Sequence, residues 1–157
     1  MVRTVQVHSS TEMQELGQRI AGIARGSDVL ILTGELGAGK TTLAQGIAGG
    51  LGITEPVTSP TFVLSKQYRH PDASKLDLLH LDVYRISSPD ELLDLWSEAD
   101  ARHALTLVEW GAPWASEFSQ HESAVAEIVL SIIADDIRDV ELRDVSGNFA
   151  QRIAGVL

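Results

Sequence analysis

A chain of 157 residues, 44% of them apolar, can bury a proper core, which argues against disorder and for one domain across residues 1–157. It contains no cysteine, so disulfides and thiolate metal sites are excluded. The formal net charge is −10, and the 12 Lys and Arg are scattered. Tight direct binding of RNA or DNA needs a basic stripe and is therefore disfavoured. The acidity serves either plain solubility or a face for a basic partner. The first residues, MVRTVQVHSSTE, lack the apolar stretch of a signal peptide, and no apolar run approaches the roughly 18 residues of a membrane span. The default expectation is a cytoplasmic protein with no membrane contact.

Taken in order, Thr4 to His8 alternates and predicts an edge strand. Ser9 and Glu12 have capping-box spacing, and Met13, Leu16, Ile20 and Ile23 give the helix they open an apolar face. Gly26-Ser27 ends it. Asp28 to Thr33 (DVLILT) predicts a short buried strand, and Thr41 to Leu51 a helix.

Between the last two lies Gly34-Glu35-Leu36-Gly37-Ala38-Gly39-Lys40-Thr41, which fits G-x-x-x-x-G-K-[ST] in the strand–loop–helix context that a phosphate-binding P-loop needs. A triphosphate carries several negative charges that must meet donors as they leave water. Glycines let the loop turn its N–H groups inward as an anion nest, and the helix that follows adds its unpaired N–H groups and positive dipole end. Lys40 would bridge the β- and γ-phosphates, and the Thr41 hydroxyl would hold Mg²⁺.

Gly52 to Phe62 (GITEPVTSPTF) holds two prolines and four hydroxyl residues and predicts a loop. Thr58, Ser59 and Thr61 either reach Mg²⁺ or the γ-phosphate, as in a switch segment, or cap their own backbone. Val63 to Arg69 and Leu76 to Ile86 predict two strands joined by a short turn, hence an antiparallel pair inside an otherwise α/β chain. Asp82, near the end of the second strand, either orients water or a magnesium-bound water, or is a solvated residue paired with Arg85.

Ser88-Pro89-Asp90-Glu91 opens a helix whose buried side is Leu92, Leu93, Leu95 and Trp96. Ala104 to Trp110 (ALTLVEW) is a short apolar strand ending in an acid. Glu109 stands where P-loop proteins place a Walker-B acid beside the P-loop strand. Trp110 packs either beside a nucleotide or as a half-buried core aromatic. Glu127 to Ile133 and Val140 to Val145 predict two further strands with a turn at Asp135-Asp136, and Asn148 to Val156 a closing helix. The five histidines show neither metal-ligand spacing nor a nucleophile partner.

Four stretches, GELGAGKTT, TSPTF, HLDVYR and LVEWG, occur in an order and at distances that resemble the bacterial TsaE (YjeE) family over roughly residues 5 to 145. The resemblance implies a single-domain P-loop α/β fold with a mixed parallel and antiparallel sheet flanked by helices. It implies an ATP hydrolase using Mg²⁺ that works with TsaB- and TsaD-like subunits to form threonylcarbamoyladenosine at position 37 of tRNAs. Those subunits, rather than this chain, would handle the tRNA. Carried over by position, Gly37, Ala38, Gly39, Lys40, Thr41 and Thr42 resemble the phosphate cradle. Thr41 and Glu109 resemble the magnesium side, and Thr61 belongs to the switch-like loop. Asp82 resembles the acid needed for hydrolysis, and Trp110 the family's Trp near the nucleotide. Residues 92 to 96 lack the glycine common there.

Two other readings compete. A small-metabolite kinase on the same P-loop usually carries an Arg-bearing lid, and the chain after Glu109 offers only Arg138, Arg143 and Arg152, with no cluster. A guanine-specific switch protein needs an Asn-Lys-x-Asp base reader, and the only asparagine, Asn148, is followed by Phe149.

Overall fold

The structure, a computed structural model, describes residues 2–60 and 64–157. Its elements are β1 (Val2–Val7), α1 (Ser10–Ile23), β2 (Asp28–Thr33), α2 (Lys40–Leu51), β3 (Ser65–Tyr68), β4 (Asp77–Asp82), α3 (Pro89–Leu95), α4 (Glu98–Ala101), β5 (Ala104–Glu109), a one-turn 3-10 helix (Ala112–Trp114), α5 (Ala115–Ser119), β6 (Ala124–Ile132), β7 (Arg138–Ser146) and α6 (Phe149–Ala154). The strands form one sheet in the order β1-β7-β6-β2-β5-β4-β3. The inner four, β6, β2, β5 and β4, are parallel, whereas β7, β1 and β3 join antiparallel. The expected mixed sheet is therefore present, with its parallel part at the centre.

Burial explains why β2 and β5 are apolar throughout: each has a neighbour on both edges and a helical layer on both faces. Leu30, Leu32, Leu105 and Leu107 face the layer of α1, α2 and α6, in which Leu16, Ile20, Leu43, Ile47 and Phe149 are buried. Val29, Ile31, Leu81 and Val108 face the other layer, built on Leu92, Trp96 and Phe118. Trp96 donates its indole N–H to the Thr106 hydroxyl at 3.2 Å, so neither buried polar group is unpaired.

Several boundaries move from the predicted ones for local reasons. β1 starts and ends earlier than Thr4 to His8, because the His8 N–H turns to the Glu12 carboxylate (2.7 Å) while Ser9 caps Glu12 (3.0 Å). β4 stops at Asp82 rather than Ile86. The Val83 N–H still reaches the Glu109 carbonyl (3.1 Å), but Ile86 then closes a turn on Val83. Leu93 is exposed, since only Leu92 and Trp96 of that helix reach the sheet. β6 and β7 extend to nine residues each as a long hairpin. The short helices at 98–101 and 112–119 have too few turns for periodicity to reveal them, and no element was expected there.

The P-loop helix is held against α1 at backbone contact. A Cβ on Gly46 would stand 2.3 Å from the Gln14 carbonyl oxygen, whereas one on Gly49, on the outer face, would meet nothing within 4 Å. Gly46→Ala is therefore expected to destabilise by about 1–3 kcal/mol through overpacking. Gly49→Ala is expected to be neutral or to stabilise by up to ~1 kcal/mol through helix propensity. Urea unfolding of the two variants checks both signs, and equal effects would deny the close crossing.

Candidate active site

The loop Gly34 to Gly39 joins the top of β2 to the start of α2. Gly37 (φ +82°) and Gly39 (φ +110°) are both left-handed, which L side chains resist. The start of α2 is left open. The helices α1, α3 and α4 are capped by the hydroxyls of Ser9, Ser88 and Ser97, but α2 follows Gly39, has no side-chain cap and carries no acid in its first turn. Its unpaired N–H groups and positive dipole end are thus available to an anion.

Across from that helix start lie two carboxylates. β4 and β5 are parallel, and Asp82 pairs in register with Glu109 at their C-terminal ends. Strand alternation turns both side chains, with His80, to the face occupied by α2. Both are buried, at 5% and 4% exposure. The Asp82 Oδ1 accepts the Tyr84 N–H at 3.0 Å. The expected alternative of a solvated Asp82 paired with Arg85 does not hold, because Asp82 is buried and Arg85 is exposed on the turn beyond.

Glu109 is supported on one oxygen. Its Oε2 accepts the Ser59 hydroxyl at 3.3 Å and lies 3.0 Å from Nε2 of His80, which is itself 1% exposed. Burial pushes the Glu109 pKa up. The opposing influences of His80, of the Lys40 charge and of Ser59 outweigh burial, and the carboxyl is held below its ordinary value. Of the loop hydroxyls, that of Ser59 bonds across to the acid. Thr61 lies outside the described residues.

These groups line one cleft of about 580 Å³, a volume suited to a small-molecule ligand. Gly37, Gly39, Lys40, Thr41 and Thr42 form one wall, and Ser59, Asp82, Glu109 and Trp110 the other. Ala38 is buried beneath the loop and borders the neighbouring cleft. Lys40 donates to the Gly34 carbonyl, and its ammonium sits 5.1 Å from the centre of the Trp110 ring. Trp110 is 50% exposed, rests on Tyr84 (centroids 5.0 Å apart) and has φ +62°, an unusual value for a bulky residue. It is a rim residue of the cleft and not a core aromatic. Thr41, Glu109 and Asp82 are hard oxygen donors lining one space, a donor set that suits magnesium.

Comparison with known proteins gives the family. The family described as "Threonylcarbamoyl adenosine biosynthesis protein TsaE" matches residues 7–140. The chain belongs to the TsaE family. It is 36% identical to the tRNA threonylcarbamoyladenosine biosynthesis protein TsaE of Streptomyces coelicolor, over 92% of this chain and 99% of that one. To the TsaE protein of Bacillus subtilis it is 37% identical, over 88% and 83%. The crystal structure of Bacillus subtilis YdiB superposes with a TM-score of 0.76 at 31% identity, covering 99% of this chain and 95% of that one.

Within this TsaE family member, His80, Tyr84 and Arg138 stand at or beside the cleft without a role in the sequence analysis. For His80 a signal existed. It lies two residues before Asp82 on a strand and so must share its face. Tyr84 and Arg138 come from a turn and a distant hairpin, where no periodicity points to the cleft.

A carboxylate whose pKa is lowered by folding stabilises the fold above its unfolded pKa, and that contribution is lost as pH falls through the folded value. His80→Leu removes the largest of the lowering influences, so the Glu109 pKa is expected to rise. Urea unfolding near about pH 7 is expected to show a loss on the order of 1–3 kcal/mol. The deficit should shrink as the pH is taken down through the carboxylate range. A deficit that stays constant with pH would assign His80 to packing alone.

Proposed function

We propose that this chain is a magnesium-dependent ATP hydrolase, acting as a subunit of the assembly that forms threonylcarbamoyladenosine at position 37 of tRNA. The observation that carries the reading is the in-register pair Asp82–Glu109 facing the uncapped start of α2 across one cleft. The family membership supports the pathway, and the geometry of the site supports the chemistry.

Backbone N–H groups of residues 37 and 39 to 42, with Lys40, would bind the β- and γ-phosphates, that of Ala38 being turned to the Glu35 carbonyl. Magnesium, held by Thr41 and Glu109, would neutralise charge on the phosphate oxygens. Asp82 would orient a water in line with the bond to be broken. The water oxygen bonds to the γ-phosphorus, the bond to the β–γ bridging oxygen breaks, and ADP and phosphate leave, the phosphate taking the water's oxygen and protons. Little covalent chemistry falls to the protein, so positioning and charge supply the rate. His80 and Ser59 would keep Glu109 ionised and oriented. Trp110 and Tyr84 would form the rim against which the nucleotide packs.

The partners in this reading are TsaB- and TsaD-like subunits, with tRNA engaged through them. The net charge of −10 supports this division of labour, because a chain so acidic is poorly suited to hold a polyanion by itself. No helix among the described residues is long and apolar enough to cross a membrane.

Phosphate release from ATP, with no acceptor added, separates this reading from a metabolite kinase. Lys40→Ala is expected to lower it by at least about 10²-fold, and retained turnover would remove the P-loop assignment. Glu109→Ala is expected to shift the magnesium titration of the same reaction to higher concentration; an unchanged titration would move the metal to Asp82. Adding TsaB- and TsaD-like subunits is expected to raise the wild-type rate, and no change would count against the assembly.

A further inference from the structure

Arg138 begins β7, far from the P-loop in sequence, yet its guanidinium ends there. Nη1 donates to three carbonyls of its own hairpin, those of Ala134 (2.9 Å), Asp135 (3.0 Å) and Ile137 (3.1 Å). Those bonds fix the plane of the guanidinium, and Nη2 then donates to the Gly37 carbonyl at 3.2 Å. Arginine suits this task because its donors form a rigid fork aimed in more than one direction, which a lysine ammonium on a flexible stem cannot reproduce.

The peptide that receives this bond is a sensitive one. A trans peptide is planar, so fixing the Gly37 carbonyl also fixes the Ala38 N–H on the opposite side. That N–H donates to the Glu35 carbonyl at 3.0 Å. One peptide plane is therefore clamped at both ends, by Arg138 outside and by Glu35 within the loop. It lies between the two left-handed glycines, Gly37 and Gly39, the residues for which backbone freedom is greatest. Rotation of this plane would change the direction of the N–H groups that follow, those at the start of α2.

We propose that Arg138 is a positioning residue for the P-loop: it ties the β6–β7 hairpin to the Gly37–Ala38 peptide and so holds the loop in its anion-receiving shape before the ligand arrives. The inference rests on the nucleotide reading above and deepens it. Arg138 works through the loop backbone, on the flank of the P-loop away from Asp82 and Glu109, where it lines a smaller cleft with Thr42, Ser9 and Asp135. Its loss therefore weakens binding rather than the chemical step.

The test is calorimetric titration of MgADP into the full chain, wild type and variants, beside steady-state ATP hydrolysis. Arg138→Ala is expected to raise the MgADP Kd and the KM for ATP together by about tenfold, with a smaller effect on kcat. Arg138→Lys keeps the charge and a donor for the hairpin carbonyls but loses the fork, and is expected to bind nearly as weakly as the alanine variant. It also serves where the alanine variant fails to fold. Melting of each unliganded variant separates the two roles, since a purely structural arginine would lower Tm and leave the Kd of the folded protein unchanged. Unchanged MgADP affinity in both variants, a fall confined to kcat, or full rescue by lysine would each overturn the assignment. A wild-type chain that binds no MgADP would instead sink the nucleotide reading itself.

Discussion

Two carboxylates withdrawn from water on adjacent strands are the constraint around which this molecule is arranged. An isolated buried charge costs several kcal/mol, and two side by side would repel each other as well. Asp82 and Glu109 are tolerable because each has neighbours that favour its charge or satisfy its oxygens. Asp82 takes the Tyr84 N–H, and Glu109 takes the Ser59 hydroxyl with His80 close by and Lys40 across the cleft. The parallel register of β4 on β5 forces the pair together, and the P-loop helix completes the surround with its open N-terminus. A cation or polyphosphate complex entering the cleft would meet charges that are already oriented, which is the condition under which electrostatics lowers a barrier without reorganisation.

The sheet topology explains why the site lies where it does. β2 pairs with β5 on one side and β6 on the other, all parallel, so their connections leave from one edge of the sheet. Ligands of open α/β sheets bind in the crevice at that edge. The antiparallel strands β3, β7 and β1 close the flanks. They also deliver side chains that the parallel strands could not. The β6–β7 hairpin brings Arg138 to Gly37, and the connection before β3 brings Ser59 to Glu109.

Much of this was legible in the residues. The glycine spacing and the flanking DVLILT and TTLAQGIAGGL named the strand, loop and helix, because close backbone approach and left-handed turns leave few residue choices. ALTLVEW placed Glu109 at a strand end, and the short turn near Pro71 announced the antiparallel pair. What escaped was contact between segments distant in sequence. His80 shows no ligand spacing because its neighbour, Glu109, comes from another strand. In the sequence Arg138 is only one of three arginines too dispersed for a lid, since nothing local links it to a loop 101 residues away. Leu93 misled for a different cause. A short helix rests on the sheet by few residues, so an apolar position next to Leu92 need not face inward.

The exposed residues around the cleft bear on how such a site could be governed. Leu36 at the tip of the P-loop is 96% exposed, Tyr84 68% and Trp110 50%, so the rim carries large apolar side chains beside the exposed charges of Glu35 and Arg85. In the isolated chain these exposed groups face solvent, and water competes with the interactions made at the mouth of the cleft. Covering that rim would exclude water and strengthen the same interactions without moving a single residue of the machinery. In the proposed reading, what lies against the mouth would set the rate as much as the groups within.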